Sequence, residues 1–122
     1  MSTQKGWIGF DLDGTLAHYD EWRGISHIGE PIKPMMDLLR SHLEEDGDDC
    51  RIFTARVFRM LYPQGTEERM EGERVVSYIQ DWLESHGLPR LPVTCVKDFG
   101  MIKLYDDRCV QVEKNTGRLI TD

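Results

Sequence analysis

Residues 7–15 read Trp-Ile-Gly-Phe-Asp-Leu-Asp-Gly-Thr, a short apolar run that stops at an Asp/Gly turn. Apolar runs of this length, bounded by turn residues, are the pattern of buried strands. Trp7 to Leu12 is therefore expected to be an inner strand, with Asp11 to Asp13 at its polar exit. Gly14 allows the backbone to turn sharply there.

Outward from this strand the pattern alternates. Ile32 to Glu45 carries apolar residues at Ile32, Met35, Met36, Leu39 and Leu43, the spacing of one helix face, and Gly47 is placed to stop it. Cys50 to Thr54 reads as a second strand. A second helix is expected from about Thr66 to His86, with Thr66 as N-cap and Glu67 and Glu68 in its first turn. Its core stripe is Val75, Val76, Ile79, Trp82 and Leu83; Gly72 weakens it locally, and Gly87 and Pro89 close it. Val93 to Val96 and Ile102 to Tyr105 read as further strands. Cys109 to Val112 is a candidate fifth, and Asn115-Thr116-Gly117 a turn into a final ribbon. Such alternation implies an α/β fold with a mostly parallel sheet and helices on both faces. Working residues in these sheets gather at the carboxyl ends of the strands.

The 122 residues fit one domain spanning 1–122, and 39% hydrophobic with 30% charged residues suits a globular chain. No apolar run is long enough to span a bilayer. Met1 to Gly6 lacks the apolar core of a secretory signal, so a cytoplasmic location without membrane contact is expected. The net charge of −7 argues against broad binding along a nucleic-acid backbone, while leaving room for a local basic pocket. Cys50, Cys95 and Cys109 form no CxxC pair and read as reduced thiols, at least two of them in buried strands. The histidines, His18, His27, His42 and His86, have no ligand spacing and read as surface residues. Trp22 reads as packed in the interior.

Each of the first four expected strands ends in a chemically capable residue: Asp11 to Asp13, Thr54 to Arg56, Lys97, and Asp106 to Asp107. Asp11 and Asp13 can share a hard cation such as Mg2+. A carboxylate can also attack phosphorus, while a second serves as acid toward the leaving oxygen and base toward water. Asp-Gly alone also builds ordinary solvated turns. Asp106 and Asp107 would complete a metal site, since adjacent like charges repel unless a cation lies between them or they diverge. Thr54 can donate its hydroxyl to a phosphate oxygen, and Arg56 can add a bidentate contact. Two lysines compete for charge neutralisation. Lys97 leaves its strand at the active edge, whereas Lys103 lies about 10 Å down the fourth strand at roughly 3.3 Å per residue. Position favours Lys97.

These elements, in this order, resemble the haloacid-dehalogenase-like (HAD) superfamily. DLDGT at 11–15 is similar to its first motif, Thr54 in IFTAR to its second, Lys97 to its third and YDD at 105–107 to its fourth. The resemblance covers residues 7 to about 112. The lysine departs from the pattern, because only Asp98 to Met101 separates it from the fourth strand, where members usually have a helix. The resemblance implies a Rossmann-like sheet of order 5-4-1-2-3, with Asp11 as nucleophile and Asp13 as acid/base. It also implies Mg2+ held by Asp11, the Asp13 carbonyl and Asp106, with Asp107 in support, and a phosphoryl group bound by Thr54 and Lys97. Ala17 to Pro31 is too short for a helical cap, and Val57 to Gly65 is expected to be only a loop. A capless member acts on exposed phosphates of large substrates or uses a neighbouring subunit of a homo-oligomer as lid.

A looser likeness is to the phosphatase half of phage polynucleotide kinase, carried by DGTLA at 13–17, Arg56 and DDR at 106–108. It nominates a nucleic-acid 3′-phosphate, with Arg56, Arg59 and Arg69 along the approach and Tyr19 or Trp22 available to stack on a base. The expectation is a Mg2+-dependent phosphatase acting on a phosphorylated small molecule or nucleic-acid end. The alternatives are a phosphotransferase of the same mechanism and a non-catalytic HAD-like binding module.

Overall fold

The computed structural model describes residues 6–120. Four parallel strands, β1 (Trp7–Asp11), β2 (Asp49–Phe53), β3 (Val93–Thr94) and β4 (Met101–Tyr105), form one sheet in the order β3-β2-β1-β4. Helix α1 (Lys33–Glu44) links β1 to β2. A short 3-10 turn (Ala55–Val57), helix α2 (Phe58–Leu61) and the long helix α3 (Thr66–Ser85) link β2 to β3. This α/β sheet carries four of the five positions in the expected order. The fifth differs: β5 (Gln111–Val112) pairs antiparallel with β6 (Leu119–Ile120) in a separate ribbon.

Burial explains the central place of β1. Trp7 to Phe10 are all buried. Register turns Ile8, Phe10, Cys50 and Ile52 to the same face, where one buried cluster joins them to Met36 and Leu39 of α1 and to Val75, Ile79 and Leu83 of α3. The expectation of helices on both faces is corrected here. Both long helices lie on one face, because β3 and β4 are joined by only Cys95 to Gly100, too short for a helix. On the other face the Trp7 ring lies across Gly9, where an added Cβ would come within 3.1 Å of it. The Arg51 guanidinium covers that ring at 4.6 Å, and the Trp7 Nε1 donates to Asp98 at 2.8 Å.

Local corrections have similar causes. Gly65, not Thr66, precedes the first turn of α3. The segment expected to be only a loop contains α2, because buried Gly72 of α3 leaves room for the Met60 side chain of α2 against the helix. His42 is buried, its ring nitrogens 2.7 Å from Asp48 Oδ2 and 3.1 Å from the Tyr105 hydroxyl. Only Cys50 is a buried strand cysteine; Cys95 follows β3 half-buried and Cys109 is exposed. All three thiols are free. Among the described residues no helix is long and apolar enough to cross a membrane.

Candidate active site

The carboxyl ends of β1, β2 and β4 open into one cleft of about 870 Å³. Asp11, Asp13, Thr54, Asp106 and Asp107 all line it, together with Arg56. The sequence scatters these residues over nearly a hundred positions, and parallel pairing with β1 at the centre brings them together.

The turn after β1 is set by Gly14, with φ of +88°. A Cβ there would also lie 2.6 Å from an Asp107 carboxylate oxygen, so both conformation and space require glycine. Thr15, buried behind the turn, ties β1 to the end of β4. Its hydroxyl lies 3.2 Å from Asp11 Oδ2 and 3.3 Å from Asp107 Oδ1, so its proton serves one of them at a time. The same oxygen accepts from the Asp107 amide at 3.1 Å. Sequence reasoning gave Thr15 no role, although a threonine placed directly after DxDG was a readable signal.

Asp11, Asp106 and Asp107 each offer an oxygen within 4.8 Å of the other two. Burial, first, then the Asp107 hydrogen bond and the charges of Asp106 and Asp107, push the Asp11 carboxyl up to about 8 against the opposing hydrogen bond from Thr15. Three carboxylates so placed are a repulsive arrangement that a cation relieves. The donors are all oxygen, which suits a hard ion such as Mg2+. The Asp106 carboxylate is oriented by the Arg108 amide, which donates to it at 2.8 Å.

Thr54 is buried at the end of β2, and its hydroxyl accepts from the Arg56 amide at 3.2 Å. The hydroxyl proton remains available for a phosphate oxygen. Arg56 lies on Asp13: Nε donates to Oδ2 and Nη2 to Oδ1, each at 2.8 Å. Arg59 lines the cleft, with Glu68 3.7 Å away. Arg69 does not line it. Lys97 is exposed beyond β3, outside the cleft lining, though close enough for its charge to act on Cys109, which also feels Asp106, Asp11 and Asp107. Lys103 lies within β4 beside Ile8, below the active edge.

One wall of the cleft is the loop from His18 to Glu30. Its ends are joined by the bridge of Ala17 to Pro31 and by the His18 amide donating to the Glu30 carbonyl at 2.8 Å. Trp82 of α3 holds its base by donating to the Gly29 carbonyl at 3.1 Å. Trp22, expected in the interior, is 54% exposed and instead lies with its ring 4.8 Å from the Arg56 guanidinium carbon. Phe58 of α2 also lines the cleft.

No family model, no curated protein and no solved structure matches the chain. The functional reading therefore rests on the residues themselves. They provide two carboxylates at one strand end, two more beside them, a hydroxyl donor and an oxygen-only cation site.

Proposed function

We propose that the chain is a Mg2+-dependent phosphatase of the HAD type, acting on a phosphomonoester through an aspartyl phosphate. The observation that carries this reading is the meeting of Asp11, Asp13, Thr54, Asp106 and Asp107 in a single cleft at the carboxyl end of a parallel sheet. An Asp11 oxygen attacks phosphorus, and the bond from phosphorus to the leaving oxygen breaks with its electron pair on that oxygen. Asp13 gives that oxygen a proton. Water then attacks the acyl phosphate, Asp13 takes the water proton, and phosphate leaves with Asp11 restored. The Thr54 hydroxyl holds a nonbridging oxygen throughout, and Lys97, exposed beyond β3 and outside the cleft lining, adds its charge only if its side chain swings in toward the phosphoryl group. Asp11, Asp106, Asp107 and the Asp13 carbonyl would hold Mg2+, which when bound supplies positive charge to the phosphoryl oxygens and frees Asp11 to act as an anion.

A nucleic-acid 3′-phosphate is the second reading, favoured by Tyr19 and Trp22, exposed aromatic residues that line the cleft. Arg59 would then meet a neighbouring phosphate. A panel of sugar phosphates, mononucleotides and 3′-phosphorylated oligonucleotides tests both readings. Turnover is expected with Mg2+, none with chelator and none for Asp11→Asn. Undiminished turnover by Asp11→Asn would overturn the proposal; equal rates on oligonucleotide and mononucleotide at low salt would remove the nucleic-acid reading alone.

A further inference from the structure

We propose that Arg56 is a positioning residue for Asp13, and that through it the His18–Glu30 loop belongs to the acid/base apparatus. The inference rests on the phosphatase reading above and goes beyond it, because the sequence pointed Arg56 at substrate phosphate.

A guanidinium has five N–H donors and one accessible face on each side. In Arg56, Nε and Nη2 form a fork on the two Asp13 oxygens at 2.8 Å. Nη2 also donates to the His27 carbonyl at 3.0 Å, and Nη1 to the Ile25 carbonyl at 3.4 Å. The Trp22 ring lies over the group with its centroid 4.8 Å away, and the side chain is only 5% exposed. Four of the five donors are engaged and one face is covered, so the group has no second fork to offer a phosphate. What it does is hold the carboxylate plane of Asp13 by both oxygens and tie that plane to two loop carbonyls. Both oxygens keep a lone pair for proton exchange, so the clamp fixes the aim of Asp13 without occupying it fully.

A carboxylate aimed in this way matters most when the leaving oxygen needs a proton. An aryl ester such as p-nitrophenyl phosphate departs as a stable anion, whereas an alkyl ester such as glycerol phosphate needs the proton as its bond breaks. With Mg2+ present, Arg56→Ala is expected to slow phosphorylation of Asp11, read as kcat/KM, by about 10²-fold with glycerol phosphate yet by less than about 10-fold with p-nitrophenyl phosphate. Hydrolysis of the acyl phosphate, which needs Asp13 as base whatever the ester, should slow equally for both. Arg56→Lys, which cannot form the fork, should fail to restore the alkyl rate. In the Asp13→Asn background, Arg56→Ala should cost little more, since its target is already disabled. A large rise in KM with kcat retained would overturn the proposal in favour of phosphate binding. Equal losses of kcat/KM on both esters, or fully additive losses with Asp13→Asn, would overturn it in favour of a merely structural role. Wild-type protein inert toward both esters and toward a 3′-phosphorylated oligonucleotide would strike the phosphatase reading itself.

Discussion

Asp11 is where the physical cost of the site is concentrated. Its carboxyl stands at about 8 instead of the ordinary 3.8, raised by burial and then by its acidic neighbours. Between those values the folded chain keeps a proton that the unfolded chain has lost, so cation-free stability falls as pH rises through the window, and the loss is complete above it. Asp20, Asp98 and Glu113 have carboxyls held below their ordinary values, chiefly by hydrogen bonds from Arg23, Trp7 and Arg118 respectively. Their contributions are complete once pH exceeds the unfolded values, so they do not mask the slope. In chelator, Tm is expected to drop between about pH 5 and about pH 8, and Asp11→Asn to flatten that drop. Mg2+ should raise Tm more at the upper end, where Asp11 would otherwise be an anion among anions. A Tm that climbs over this interval in wild type would contradict the assignment.

At the scale of elements, α2 and α3 supply part of the cleft wall, through Phe58 and Arg59 of the one and Glu71, Gly72 and Val75 of the other. Their packing depends on Gly72, whose missing Cβ leaves space for Met60. Intrinsic propensity alone favours alanine there by about 1 kcal/mol. The added methyl must displace Met60, and overpacking of this kind costs about 1–3 kcal/mol. Gly72→Ala is therefore expected to lower stability in urea denaturation and to raise KM, because Phe58 and Arg59 on α2 would shift with Met60. A more stable Gly72→Ala protein would show that α2 is not held this way. The same packing explains why a glycine that weakened the helix in sequence sits within twenty unbroken helical residues.

For the whole molecule, the alternation of strands and helices was legible in local signals, apolar runs ending in Asp, Thr or Asp-Asp with helical stripes between them, whereas the expected strand order came from the family resemblance alone. Parallel pairing then forced those ends together. What sequence could not carry was non-local. Arg56 and Asp13 are forty-three positions apart, and nothing in either segment announces the fork between them. His42 was hidden because its partners, Asp48 and Tyr105, come from other elements. The one-sided placement of the helices was legible in the short link between β3 and β4, but the alternation elsewhere overrode it.

The central claim is that Asp11 takes the phosphoryl group. Asp13→Asn, lacking the base for the second step, should accumulate the acyl phosphate when mixed with p-nitrophenyl phosphate and Mg2+ and quenched in acid. Peptide mass spectrometry of the quenched protein is predicted to find an alkali-labile phosphoryl group on Asp11, absent when Asp11 is also replaced by Asn. A phosphoryl group on another residue, or substrate turned over with no phosphorylated protein in any quench, would contradict the account.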